Sequence, residues 1–156
     1  MNNGRRSILK GTGGAAVMGL AASAGLLTPG SVWAQSWNKA AFETKSVNDT
    51  VKAMGGGTAV ESKDIVITSP DIAENGAVVP FSIASKIPKT ESIALLVEKN
   101  PNTLVANFTI PDGTEPGITT RAKMGQTSSV IALVKADGKF YYASKEVKVT
   151  LGGCGG

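Results

Sequence analysis

SVIALVKADGKFYYASKEVKVTL, residues 129–151, is the stretch on which the fold turns. Apolar side chains recur at every second position in its first half, at Val130, Ala132 and Val134, and again near its end at Val147, Val149 and Leu151. A period of two places alternate side chains on one face of a strand, whereas a helix requires spacings of three and four. Between the two runs stands Asp137-Gly138, a pair suited to the positive φ angles of a two-residue type I′ turn. The reading is an antiparallel β-hairpin over 129–136 and 139–148, with an apolar face that needs a partner layer.

Working outward, the same period marks Ile65/Ile67, Val79/Phe81/Ile83, Ile93/Leu95/Val97, Leu104/Ala106/Phe108/Ile110 and Ile118/Thr120/Ala122/Met124. Turn chemistry separates these runs at Asn75-Gly76, Lys86-Ile87-Pro88-Lys89, Asn100-Pro101-Asn102 and Pro111-Asp112-Gly113. Pro80, inside the second run, fits an edge position or a bulge because it has no amide hydrogen to donate. One segment has the helical period instead: Val47, Val51 and Met54 follow Ser46, whose hydroxyl suits an N-cap with Asp49 three residues on, and the glycines from Gly55 end it. Trp37, Ala40, Ala41 and Phe42 extend that helix backwards. The pattern therefore predicts a mainly β protein: an immunoglobulin-like antiparallel β-sandwich of about seven strands with a short N-terminal helix.

The N-terminus carries a different message. Arg5-Arg6-Ser7-Ile8-Leu9-Lys10 precedes an alanine- and glycine-rich apolar run over 11–27, and Val32-Trp33-Ala34 supplies a small-residue cleavage site. That is the pattern of a twin-arginine signal peptide. The apolar run falls short of the about 20 strongly apolar residues that a membrane span needs. Residues 1–34 are expected to be removed after Ala34, leaving a periplasmic protein with no membrane attachment, a single domain over 35–151 and a tail over 152–156.

Charge changes with the cut. The precursor holds 16 basic and 12 acidic residues, and loss of Arg5, Arg6 and Lys10 leaves 13 against 12 in residues 35–156. A near-neutral chain with no basic run has nothing to recommend nucleic acid or an anionic membrane as a partner. Histidine is absent altogether, which removes Ser-His and Cys-His catalytic pairs and histidine-ligated zinc or haem. The acids lack the spacing of a calcium loop, no phosphate-binding Gly-Lys-Ser/Thr loop is present, and a single cysteine makes no internal disulfide. No cofactor and no metal are expected, and an autonomous enzyme is disfavoured.

What remains is the end of the chain. After Leu151 it reads Gly152-Gly153-Cys154-Gly155-Gly156. Glycine lacks a Cβ and visits both halves of φ space, so the pentapeptide is expected to act as a thin, freely turning arm that presents the chain's only thiol. An extended chain from Leu151 to Cys154 spans roughly 10 Å, and fraying of the last strand would lengthen it. A free cysteine titrates near about 8.5, and the tail holds no basic residue to lower that value, so activation of the thiol falls to a partner. Lys145, Lys148, Lys123 and Arg121 are candidates for docking or anion handling, with solvated strand faces as the stronger reading.

A twin-arginine signal, a single domain of this length and the terminal Gly152-Gly153-Cys154-Gly155-Gly156 together resemble the SoxY family, the sulfur-carrying subunits of the periplasmic thiosulfate-oxidising Sox system. Glu74-Asn75-Gly76-Ala77-Val78-Val79-Pro80 and the helical segment from Ser46 to Met54 are similar to that family as well, so the likeness spans nearly all of the chain after residue 34. The resemblance implies a non-catalytic carrier whose Cys154 is the covalent attachment point, with Gly152, Gly153, Gly155 and Gly156 as its swinging arm. It implies an S-thiosulfonate formed by a c-type haem protein, sulfate release by a metal-dependent hydrolase, and a residual persulfide taken up by a sulfur dehydrogenase or passed elsewhere. It also implies a heterodimer with a SoxZ-like subunit. From the residues alone a second reading stands beside it, an exported β-sandwich binding or assembly module in which Cys154 forms an intermolecular disulfide. A thiocarboxylate carrier loaded at Gly156 is disfavoured, since that loading needs ATP and the pattern lacks such a carrier's long central helix.

Overall fold

The computed structural model describes residues 38–150. Two short helices come first, α1 over Lys39–Phe42 and α2 over Val47–Ala53. Asn38 starts the first and ties it to the second: its side-chain oxygen accepts from the Ala41 amide at 3.2 Å, while its Nδ2 donates to the Ala53 carbonyl at 2.8 Å. Ser46 caps α2 as its sequence position predicts, accepting from the Asp49 amide at 3.1 Å and donating to the Asp49 carboxylate at 2.7 Å. Gly55, at φ +87°, then reverses the chain, so that Gly56 N–H reaches the Val51 carbonyl and Gly55 N–H that of Lys52. One expectation is corrected here. Ala40, Ala41 and Phe42 do not extend the helix backwards; they form a separate turn, because the chain passes through Glu43, Thr44 and Lys45 before Ser46 caps the next start, and Trp37 lies outside the described residues.

Nine strands follow among the described residues: β1 (Ala59–Glu61), β2 (Ile65–Thr68), β3 (Ile72–Ala73), β4 (Val79–Ser85), β5 (Thr90–Val97), β6 (Leu104–Thr109), β7 (Gly117–Ala122), β8 (Ser128–Ala136) and β9 (Lys139–Val149). Each alternating run read from the sequence falls on a strand, with Ile110 and Met124 just past the ends of β6 and β7 and Leu151 outside the described residues, and β1 and β3 are additional to the seven expected. The larger sheet runs β1-β9-β8-β5-β6, with β3 also on β9, and the smaller runs β2-β4-β7. All ladders are antiparallel but two: β1 and β3 pair in parallel with β9. The antiparallel sandwich expected from the sequence forms, with two short parallel pairings added where β1 and β3, on either side of β2, run alongside β9. Pro80 lies in the middle strand of that smaller sheet, yet beyond the stretch of β4 from Ser82 to Ser85 that pairs with β2, which is how a residue without an amide hydrogen is accommodated.

Between the sheets the alternating residues meet. Val79, Phe81 and Ile83 of β4 pack against Ile93, Leu95 and Val97 of β5 and Val130, Ala132 and Val134 of β8. The intervening residues of β5 and β8 are buried too, because Ala94, Leu96, Ile131 and Leu133 form a second core with Ala41, Val51 and Phe140 beneath the helices. A sandwich with one covered outer face is the result. On β6 a bulge splits the predicted face: Ala106 and Phe108 oppose Leu95 and Ile93, but Leu104 opposes Leu96 and joins the core beneath the helices.

The β8–β9 hairpin forms as the sequence predicts, with Asp137 at φ 50° and Gly138 at φ 72°. Glu91 of β5 braces it. Its carboxylate accepts from Gly138 N–H at 3.0 Å and pairs with Lys135 Nζ at 3.0 Å, and the Lys135 hydrogen bond, followed by the Gly138 amide, holds the Glu91 carboxyl below its ordinary range.

Candidate functional site

The residues singled out as site and signal, Cys154 with Gly152, Gly153, Gly155 and Gly156, and Arg5, Arg6 and Ala34, lie outside the described residues. What the structure places is the platform from which the C-terminal segment departs. β9 ends at Val149, and its last residues are bonded along both edges. Towards β3, the Lys148 amide donates to the Asp71 carbonyl at 2.9 Å and the Thr150 amide to the Ala73 carbonyl at 3.1 Å. Towards β8, where strand pairing stops at Ser128↔Val147, the hydroxyl of Thr127 replaces a backbone carbonyl and accepts from the Val149 amide at 3.0 Å. Consecutive amides of a strand point to opposite sides, so this alternation is what an extended chain wedged between two neighbours requires.

The segment similar to the family, Glu74 to Pro80, sits against this root. Asn75 shapes the turn by accepting from the Ala77 amide at 2.9 Å, and Gly76 closes on β7's end, its carbonyl accepting from Met124 N–H at 2.7 Å. Gly76 is needed there for space. A Cβ in its place would lie 2.5 Å from the Met124 carbonyl oxygen and 2.7 Å from Cγ1 of Val149. Val149 in turn packs on the core between the sheets, with fully buried Val147 two residues before it. The exit of the last strand is therefore registered against both sheets.

The four cations read from the sequence divide. Lys145 is structural: its ammonium donates to the Ser69 carbonyl at 2.6 Å and pairs with Asp71 at 2.9 Å, tying the middle of β9 to the chain that enters β3. Lys123, Lys148 and Arg121 are exposed on strand faces and strand ends. Ile72 and Val78, 56% and 52% exposed, stand among them as large apolar side chains near the exit. Among the described residues no group of three or more His, Cys, Asp or Glu is arranged to hold a metal ion. An open hollow of about 350 Å³, lined by Gly56, Thr58, Val60, Lys139 and their neighbours, lies at the opposite end of β9 from Thr150.

Sequence reasoning missed Thr127, Ala73 and the role of Gly76. Asn75-Gly76 is legible as a turn, but the demand for a bare Cα arises from Met124 and Val149, which no local pattern connects to it.

Fold and site together define a small β-sandwich that fastens its final strand on both sides and leads from it to the chain's one cysteine. The family model of the sulfur oxidation protein SoxY matches residues 51–154 and so runs from α2 through the platform to the cysteine itself. The sulfur carrier protein SoxY from Chlorobium limicola f thiosulfatophilum is similar at 37% identity and a TM-score of 0.59, over 66% of this chain and 96% of that one. The chain belongs to the SoxY family, and its role is that of a sulfur-oxidation carrier within a Sox system that includes partner proteins. A superoxide reductase (neelaredoxin) from Ignicoccus hospitalis has 18% identity over 55% of this chain and 79% of that one, with a TM-score of 0.48. No curated protein sequence matches.

Proposed function

We propose that this protein is the exported carrier of a thiosulfate-oxidising system and that Cys154 is the atom-bearing residue. The observation that supports it most is the reach of the family match to residue 154, the only cysteine in the chain. Loading joins the Cys154 sulfur to the sulfane sulfur of thiosulfate: one S–S bond forms, the thiol proton is released, and two electrons leave through a c-type haem partner. The product is a cysteine S-thiosulfonate. Hydrolysis by a metal-dependent partner adds water oxygen to the terminal sulfonate, releases sulfate and one proton, and leaves a protonated persulfide on Cys154. A sulfur dehydrogenase or another acceptor takes that last sulfur. The protein holds the intermediate and supplies no metal, and the two electrons removed on loading come from its thiol and thiosulfate together.

Such a carrier needs a thin, freely turning peptide to enter partner sites, and Gly152, Gly153, Gly155 and Gly156 supply it. It needs export as well. Cleavage after Ala34 of a signal headed by Arg5 and Arg6 delivers it to the periplasm, and a pathway that moves folded cargo would let a SoxZ-like subunit travel with it as a heterodimer.

Intact-mass measurement of the purified protein, incubated with thiosulfate, an electron acceptor and a loading haem protein, tests this reading. The expected result is a mass addition that a reductant removes and that maps to the Cys154 peptide. Formation of intermolecular disulfides with no sulfur adduct would instead favour the assembly-module reading.

A further inference from the structure

Two demands of the fold meet at Asn75 and Gly76. The turn between β3 and β4 is closed by the Asn75 side chain, whose Oδ1 accepts from Ala77 N–H at 2.9 Å, and by its carbonyl, which accepts from Val78 N–H at 3.4 Å. A short side chain ending in an acceptor closes a turn in this way, which favours asparagine or aspartate at the position. The next residue has to be glycine. Its carbonyl accepts from Met124 N–H at 2.7 Å, and a Cβ would stand 2.5 Å from the Met124 carbonyl oxygen and 2.7 Å from Cγ1 of Val149. Packing thus installs an Asn-Gly pair at a turn that faces water, with Asn75 and Ala77 both exposed. Among the described residues no carbonyl accepts from Gly76 N–H.

We propose that Asn75 is a self-modification site that deamidates in the folded protein, independently of Cys154. The Gly76 nitrogen gives up its proton to solvent base and attacks Cγ of Asn75, so that a C–N bond forms and closes a cyclic imide. The Cγ–Nδ2 bond breaks, and Nδ2 leaves as ammonia with a proton from water. Water then opens the imide at either carbonyl, giving aspartate or isoaspartate, and no electrons are exchanged. Glycine admits the attack because no side chain screens its nitrogen. The Ala77 N–H already on Oδ1 stabilises the negative charge that grows there, as an oxyanion donor does, which is worth about tenfold in rate. Gly76 is held by Met124, and Ala73 by the Thr150 amide at 3.1 Å, so ring closure is carried by rotation of Asn75 between these anchors. The two products differ in fit. Aspartate keeps the acceptor of the turn and adds a charge beside Glu74, whereas isoaspartate inserts a methylene into the backbone next to Gly76, where Met124 and Val149 leave no room.

Peptide mapping of the folded protein, held at mildly alkaline pH and sampled over time, tests this. The tryptic peptide 64–86 holds Asn75 as its only asparagine, and the peptides with Asn48, Asn102 and Asn107 serve as internal references. The expected result is conversion of amide to acid at Asn75 at least about tenfold faster than at those references, with two products of equal mass and ammonia released in step. Asn75→Gln, whose longer side chain has to close a larger ring, is expected to keep the fold and lose the ammonia. Asn75→Asp is expected to keep the wild-type Tm, while the isoaspartate-containing fraction of aged wild type unfolds at lower temperature. Conversion at Asn75 no faster than at Asn102 or Asn107 in the folded protein overturns the inference. So does conversion that starts only after unfolding in urea, since the turn would then protect the residue instead of activating it.

Discussion

The two ends of β9 are held differently. At its beginning Phe140 is 3% exposed and lies in the core beneath the helices with Val51, so close to Gly56 that a Cβ there would come within 2.6 Å of the ring. At its far end Val147 is buried between the sheets, and beyond it three successive amides, of Lys148, Val149 and Thr150, donate to Asp71, Thr127 and Ala73. Burial stabilises in proportion to area and is indifferent to direction, whereas a hydrogen bond contributes about 1 kcal/mol net but fixes distance and angle. Burial thus holds β9 at both ends, through Phe140 at one and Val147 at the other, and beyond Val147 the strand's position is defined by directional bonds.

The largest effect expected from breaking this contrast is at Phe140. Its replacement by Ala removes a buried ring from a packed helix–sheet contact and is expected to cost about 3–5 kcal/mol in urea unfolding, while sulfur loading per folded molecule stays the same. A loss below about 1 kcal/mol would mean that burial at this end is not what holds β9. Less severe is Ser46→Ala, which strips the cap from the helix over that core and is expected to cost about 1 kcal/mol. Calorimetry would register it as a lowered Tm, and an unchanged Tm would show that α2 is held by packing alone.

The smallest effect is electrostatic and depends on pH. The Glu91 carboxyl sits below its ordinary range in the folded protein because of Lys135 and the Gly138 amide. A lowered folded value stabilises the protein at pH above the ordinary carboxylate range, and that contribution is lost as pH falls through the lowered value. Wild type is therefore expected to unfold at slightly higher temperature than Glu91→Gln near neutrality, and the two are expected to converge in acid. A gap that persisted unchanged in acid would assign the effect to shape and not to charge. Both partners are partly exposed, so salt is expected to narrow the gap as well.

Much of this architecture is legible in the sequence because one buried face writes a period of two into each strand: Val79, Phe81 and Ile83 are an example, and all three are buried between the sheets. The second core is harder to see. Ala94, Leu96, Ile131 and Leu133 fill the positions between the alternating ones, and a single-face reading leaves them without a partner, although a near-continuous apolar run is the mark of a strand covered on both sides. β1 and β3 escape for another reason. They are three and two residues long, they expose Val60 and Ile72, and their pairing with β9 is decided by tertiary placement and not by local pattern. The candidate site divides in the same way. A lone cysteine among terminal glycines is visible at once, whereas the hydroxyl that fastens Val149 comes from a residue 22 positions earlier that nothing nearby distinguishes.

The most direct test of the account is intact-mass analysis of wild-type and Cys154→Ser protein after incubation with thiosulfate, an electron acceptor and the loading partner. Since no other thiol exists in the chain, the account predicts a reductant-removable sulfur adduct on the wild type and none on the variant, with equal thermal stability for the two. A sulfur adduct retained by Cys154→Ser would contradict it.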